Sequence, residues 1–169
     1  AGNTKDAYDA ANEVILAQQN SDLFPWVKTE DITTTTIELR DRTFSTEHLF
    51  AFNTNKLGEY IKGYFRETST PLISRILPAE LYEPDDYRNA LYEIYSGSAN
   101  VLTKFWQLES VYVSGQGLVR PKRDRMPGIR IAEMYYIATE ALKDSNIGEA
   151  ITTLNMLRAY RGLPGLSNL

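Results

Sequence analysis

Residues 128–164, GIRIAEMYYIATEALKDSNIGEAITTLNMLRAYRGLP, decide the fold. Ile131, Met134, Tyr135, Ala138 and Leu142 recur at three- and four-residue steps, which places them on one face of a helix. A turn follows at Lys143 to Asn146. Asn146 has the side chain of an N-cap, and Glu149 stands three residues on, where a capping box needs its acidic partner. Ala150, Ile151, Leu154, Leu157 and Arg158 form a second stripe. Gly162 is able to take the left-handed conformation that ends a helix, and Pro164 cannot continue one. The spacing therefore predicts two antiparallel helices. Ala138 and Ala150 are small enough to let the two backbones approach closely. A unit of about 34 residues built this way suits a tetratricopeptide-type hairpin, although the spacing alone also fits an ordinary helical hairpin.

The residues of this stretch carry a resemblance as well. RIAEMYYIATEAL, followed by GEAITTLNMLRAYRGLP, resembles the tetratricopeptide hairpin of the SusD/RagB family, surface lipoproteins of Bacteroidetes that capture nutrients, usually glycans. The positions that match are Arg130, Ala132, Glu133, Tyr135, Glu140, Ala141, Ala150, Asn155, Arg158, Gly162, Leu163 and Pro164. Arg161 departs from the pattern, which usually has Ala before the Gly. The resemblance implies a mostly α, SusD-like fold: an α-α superhelix of tetratricopeptide-like hairpins beside an irregular region with small β-hairpins. The whole of residues 1–169 would then be one SusD-like domain fragment, with the hairpin at residues 130–164.

The totals narrow the chemistry. A chain of 169 residues with 43% hydrophobic and 24% charged residues has the composition of a globular protein. Its net charge of −4 argues against a nucleic-acid partner, whose affinity depends on Lys and Arg neutralising phosphates. No apolar run approaches the ~20 residues that cross a bilayer as a helix. The absence of cysteine removes disulfides, thiolate catalysis and Cys-ligated zinc. The chain opens Ala1-Gly2-Asn3 rather than with Met and is read as a piece of a longer protein. On the resemblance, its only tie to the membrane is a lipid anchor upstream of this fragment, on the outer face of the outer membrane.

Ahead of the hairpin, Ala7, Ala11, Val14 and Ile15 predict a helix from about Lys5 to Gln19, with Thr4 as its cap. The resemblance makes this the second helix of an earlier unit. Leu23-Phe24-Pro25-Trp26 reads as an apolar loop. The β-branched residues 33–39 suit an edge strand, Asp41-Arg42 a turn, and residues 47–53 a second strand, together a small hairpin. Residues 57–66 have near-helical spacing. Pro84-Asp85-Asp86 starts a further predicted helix carrying Tyr87, Leu91, Ile94 and Tyr95, and Asp86-Tyr87-Arg88 fits an Asp-x-Arg of the family. Residues 101–113 read as one strand, or as two with a turn near Glu109. Gly115-Gln116-Gly117 closes the segment, and residues 120–127 form a basic loop.

No residue pattern supports catalysis. His48 is the single histidine and lies in a predicted strand, where no oriented base–nucleophile pair is legible. Neither metal-ligand spacing nor a glycine-rich phosphate loop occurs, so no cofactor or metal is expected. Glu80, Glu83, Asp85 and Asp86 cluster in sequence, but the two aspartates read as helix-start residues. Four cations at Arg120, Lys122, Arg123 and Arg125 suit a solvated segment or a contact with an acidic surface or sugar.

The aromatic residues are the richer class: eleven Tyr, six Phe and two Trp. Sugars present C–H faces that stack on rings, while their hydroxyls find polar partners, and Tyr and Trp serve both needs. Trp26, Tyr64, Tyr82 and Tyr112 sit in predicted loops or at element ends, and Trp106 in a predicted strand. These five are the candidate ligand-binding residues, each of which would otherwise serve as a core or loop-anchoring ring. The role implied by the resemblance is capture of an oligosaccharide or similar nutrient without chemistry, for a SusC-like TonB-dependent outer-membrane transporter. The rival is a tetratricopeptide scaffold that binds a peptide or protein in its helical groove.

Overall fold

The computed structural model describes residues 3–36, 39–54, 81–95, 99–102, 104, 111–119 and 125–167. The chain divides into two compact units, the first formed by Ala1–Trp26, Thr46–Phe50 and Gly128–Leu169, the second by Val27–Ser45 and Ala51–Pro127.

The first unit is built on three helices: α1 (Thr4–Gln19), α3 (Ile131–Leu142) and α4 (Ile147–Ala159). α3 lies between the other two in the packing, against α1 on one side and α4 on the other. The cap of α1 is Asn3, whose side chain accepts from the Asp6 amide, one residue ahead of the expected Thr4. Its buried residues are Ala11, Ile15 and Gln18, while Val14 and Tyr8 are half-buried against the same core. On α3 the expected stripe holds: Ile131, Tyr135, Ala138 and Leu142 are buried, as is Ala132. Ala138 and Ala150 are both fully enclosed, as a close helix–helix approach requires. Asn146 caps α4 by accepting from the Glu149 amide (3.3 Å), and its own side-chain amide donates to the Glu149 carboxylate (2.8 Å). At the other end Leu163 N–H bonds to the Arg158 carbonyl (3.1 Å) and Gly162 N–H to that of Ala159 (3.3 Å), with Gly162 at φ 79°. These bonds satisfy the last carbonyls of the helix and turn the chain sharply. Asn155 then holds the segment beyond by both atoms of its amide, donating to the Leu166 carbonyl (3.0 Å) and accepting from the Leu166 amide (2.7 Å). Arg158 donates to the Pro164 carbonyl (2.9 Å).

The second unit has a small core of Val27, Ile32, Phe44 and Leu91. Residues 33–36 and Leu39 do not form the expected strand. Thr29–Thr33 is instead a single helical turn, α2, with Glu30 and Asp31 at its positive end and Ile32 buried. Burial of Ile32 outweighs the weak strand preference of the threonines that follow. The Asp41 carboxylate organises the next turn by accepting from the amides of Thr43 (3.2 Å) and Ser45 (2.8 Å). β1 (His48–Asn53) appears where a strand was expected, but its partner is β6 (Arg125–Arg130), so the local hairpin is replaced by a long-range pairing. Accordingly Arg125 to Pro127, expected in a loop, are strand. Gly128 lies where a side chain would collide with the Phe50 ring, since its Cβ would stand 2.7 Å from Phe50 Cδ1.

The helix predicted after Asp86 is also absent. Tyr87–Leu91 is a 3₁₀ turn, and Tyr92–Tyr95 is β2, paired antiparallel with β3 (Ala99–Leu102). Asp86 Oδ1 accepts from the Arg88 amide (2.8 Å), and Asn89 Nδ2 donates to the Glu83 carbonyl (2.9 Å). These side-chain bonds to backbone favour a tight turn over a continued helix. The strand predicted over residues 101–113 is divided between two hairpins. β3 pairs backward with β2, and β4 (Val111–Val113) pairs forward with β5 (Gly117–Val119) across Gly115 and Gly117, both at positive φ. The predicted helix at residues 57–66, the turn near Glu109 and the cations Arg120, Lys122 and Arg123 lie outside the described residues.

Candidate ligand-binding site

Trp26 sits at the end of the loop that leaves α1. Phe24 turns that loop by adopting φ 52°, a conformation that costs a non-glycine residue of order 1 kcal/mol. Gln18, buried on α1, offsets part of that cost: its Nε2 donates to the Phe24 carbonyl (2.9 Å). Its Oε1 accepts from the Tyr135 hydroxyl (3.0 Å), so one amide ties the loop to α3. Burial pushes the Tyr135 hydroxyl's pKa up, with the neighbouring Gln19 side chain opposing part of the rise, and keeps it a proton donor.

Three rings converge on this loop. Trp26 stacks on Tyr160 with centroids 4.7 Å apart and planes 17° from parallel, and meets Tyr135 at 5.1 Å and 55°. Beneath them is a buried ion pair. Arg161 donates Nη1 to Glu47 Oε1 (2.9 Å) and Nη2 to Glu47 Oε2 (2.6 Å), and its guanidinium lies 5.4 Å from the Trp26 ring centroid. Arg161 is 4% exposed and Glu47 0%. The residue that departs from the family pattern is thus matched to a carboxylate on the strand side of the same unit. The guanidinium also supports the indole.

Beside the rings is a cavity of about 650 Å³, lined by Gln18, Gln19, Trp26, Tyr135, Met156 and Tyr160 among others. That volume falls in the range of roughly 300–1,000 Å³ typical of small-ligand pockets. Among the described residues no charged side chain lines it. Gln19 Nε2 reaches Met156 Sδ at 3.7 Å, a weak contact.

Three of the five candidate residues lie among the described residues. Trp26 belongs to the first unit, half-buried in the ring cluster, whereas Tyr82 and Tyr112 belong to the second. Tyr82 is half-buried with the Arg88 guanidinium 4.6 Å from its centroid. That guanidinium forms a two-point pair with the buried Asp86 carboxylate (Nε–Oδ1 2.9 Å, Nη2–Oδ2 2.5 Å). The Asp-x-Arg motif is therefore a local clamp, with Tyr82 as its lid. Tyr112, on β4, is 75% exposed. Tyr64 and Trp106 lie outside the described residues. Tyr160 and Met156 were not singled out in the sequence. The signal for Tyr160 was its place just ahead of Gly162, where a helix end projects side chains off the regular stripe. Among the described residues no group of acidic or histidine side chains is spaced to hold a metal ion, and no helix is long and apolar enough to cross a membrane.

No family model matches the chain, and no curated protein matches it. Among solved structures it is similar to surface glycan-binding protein A from Bacteroides uniformis, with a TM-score of 0.60 and 16% sequence identity. The similarity covers 98% of this chain. The fold is mostly α and SusD-like. The chain spans 39% of the length of that protein. At this identity the likeness is one of architecture, and the side chains that bind ligand are not transferred by it.

Proposed function

We propose that this chain is part of a non-catalytic glycan-capture protein at the bacterial outer-membrane surface, which holds an oligosaccharide for a SusC-like TonB-dependent transporter. The observation that supports this reading most is the architectural likeness of nearly the whole chain to a surface glycan-binding protein. The exposed ring of Tyr112 and the Tyr82–Arg88 clamp supply surfaces of the right chemistry, an aromatic face beside polar groups. Tyr64 and Trp106, in the segments not described, belong to the proposed set of aromatic contacts, and Trp26 belongs to it through the ring cluster that it anchors. The helices of the first unit are the proposed docking elements for the transporter.

The test is a glycan array on the full-length protein, followed by calorimetry of each retained sugar. Tyr112→Ala and Tyr82→Ala are expected to weaken binding by about 3- to 10-fold each, the worth of one aromatic contact. Failure of the protein to retain any glycan would overturn the reading. So would turnover of a retained oligosaccharide, which would make the protein an enzyme.

A further inference from the structure

We infer that the cavity beside Trp26 is a subsite for an uncharged sugar ring, with Tyr160 as its stacking platform and Gln19 as its hydrogen-bonding edge. The inference rests on the glycan-capture reading and assigns it a place and a ligand class.

Trp26 is not itself the platform, because its ring is already stacked on Tyr160, touched by Tyr135 and backed by Arg161. Tyr160 is the outer member of the stack and remains 47% exposed. Indole and guanidinium behind it fix its ring in place, so stacking on it needs little reordering. Among the described residues its hydroxyl has no hydrogen-bond partner and is available to a ligand. Gln18 is committed to Phe24 and Tyr135, which makes it a positioning residue. Gln19 is exposed, and its amide makes a weak contact to the Met156 sulfur (3.7 Å). A carboxamide donates and accepts at once, the pattern that adjacent sugar hydroxyls require.

The selectivity for an uncharged ring follows from the lining. An acidic sugar would lose water from its carboxylate and find no cation among the described residues of the cavity wall. Arg161, close behind the indole, is already neutralised by Glu47 and shielded from solvent.

The test uses the same full-length protein on an array of neutral α- and β-linked oligosaccharides beside uronate-bearing ones of equal length. The expected result is retention of neutral glycans, with affinity lowered about tenfold by Tyr160→Ala and by a smaller factor in Gln19→Ala. Tyr160→Phe keeps the platform and is expected to fall between Tyr160→Ala and the parent. Tyr136→Ala, an exposed ring elsewhere on α3, is expected to bind as the parent does. Circular dichroism on each variant confirms that the fold is intact. Parent-like affinity in both Tyr160→Ala and Gln19→Ala would overturn the subsite and leave glycan capture standing. A preference for uronates would overturn it too. A parent protein that retains no glycan would overturn both.

Discussion

Arg161 lies in the turn just past α4, one step beyond Ala150, Thr153 and Leu157, which are buried on one face of that helix. A cation at that position is tolerated only with a partner, and Glu47 supplies both oxygens. Removing one member strands the other charge away from water. Arg161→Ala is therefore expected to cost about 3–5 kcal/mol, read as a lower denaturant midpoint. A Glu47→Leu/Arg161→Met double variant should recover most of that loss, because well-packed apolar residues replace a buried ion pair at little cost. If the double variant is as unstable as the single one, the pair is not the cause. Tyr135 bears on pH. Burial raises its pKa above the ordinary 10.0, so the folded protein holds that proton more tightly than the unfolded chain. Its contribution is full below pH ~10 and is lost as pH rises through the higher folded value. In Tyr135→Phe the alkaline fall in stability should be shallower, although the missing bond to Gln18 costs about 1 kcal/mol near neutrality. Denaturant melts across that alkaline range check the slope.

At the scale of elements, the helices were legible where local chemistry and packing agree. Asn146 reads as a cap in the sequence and acts as one in the structure. Asn146→Ala is expected to cost about 1 kcal/mol, or about 2–4 °C in Tm for a chain this long, and Asn146→Ser to restore most of it. Equal melting of all three proteins would show that α4 is held by packing alone. Strands were less legible. The threonines after Ile32 carry strand preference, yet Thr33 closes α2 and Thr34–Thr36 form no strand, while Ile32 reaches the small core with Val27, Phe44 and Leu91. Ile94 and Tyr95 have helical spacing from Tyr87 and Leu91, but they belong to β2, whose pairing with β3 satisfies the backbone after the 3₁₀ turn. Residues 48–53 were strand as expected. Their partner β6 stands far along the chain, and no local turn signal announces such a pairing.

At the scale of the molecule, α3 is packed on both sides and carries the most deeply buried stripe. Its amides should be the slowest to exchange with deuterium, and those of the β4–β5 hairpin, which closes on two glycines, among the fastest. Rapid exchange throughout α3 would mean that the three-helix packing is not the stable centre of the first unit.

The candidate site divides along the same line. The sequence by itself determined the helical hairpin, its caps and its stop, because those depend on residues within a few positions of one another. It also drew attention to Trp26. Only the tertiary structure decided that Trp26 stacks on the more exposed ring of Tyr160, and that Glu47 neutralises Arg161 from 114 residues away. Those choices rest on which surfaces meet when distant segments pack, and spacing along a chain carries no record of that.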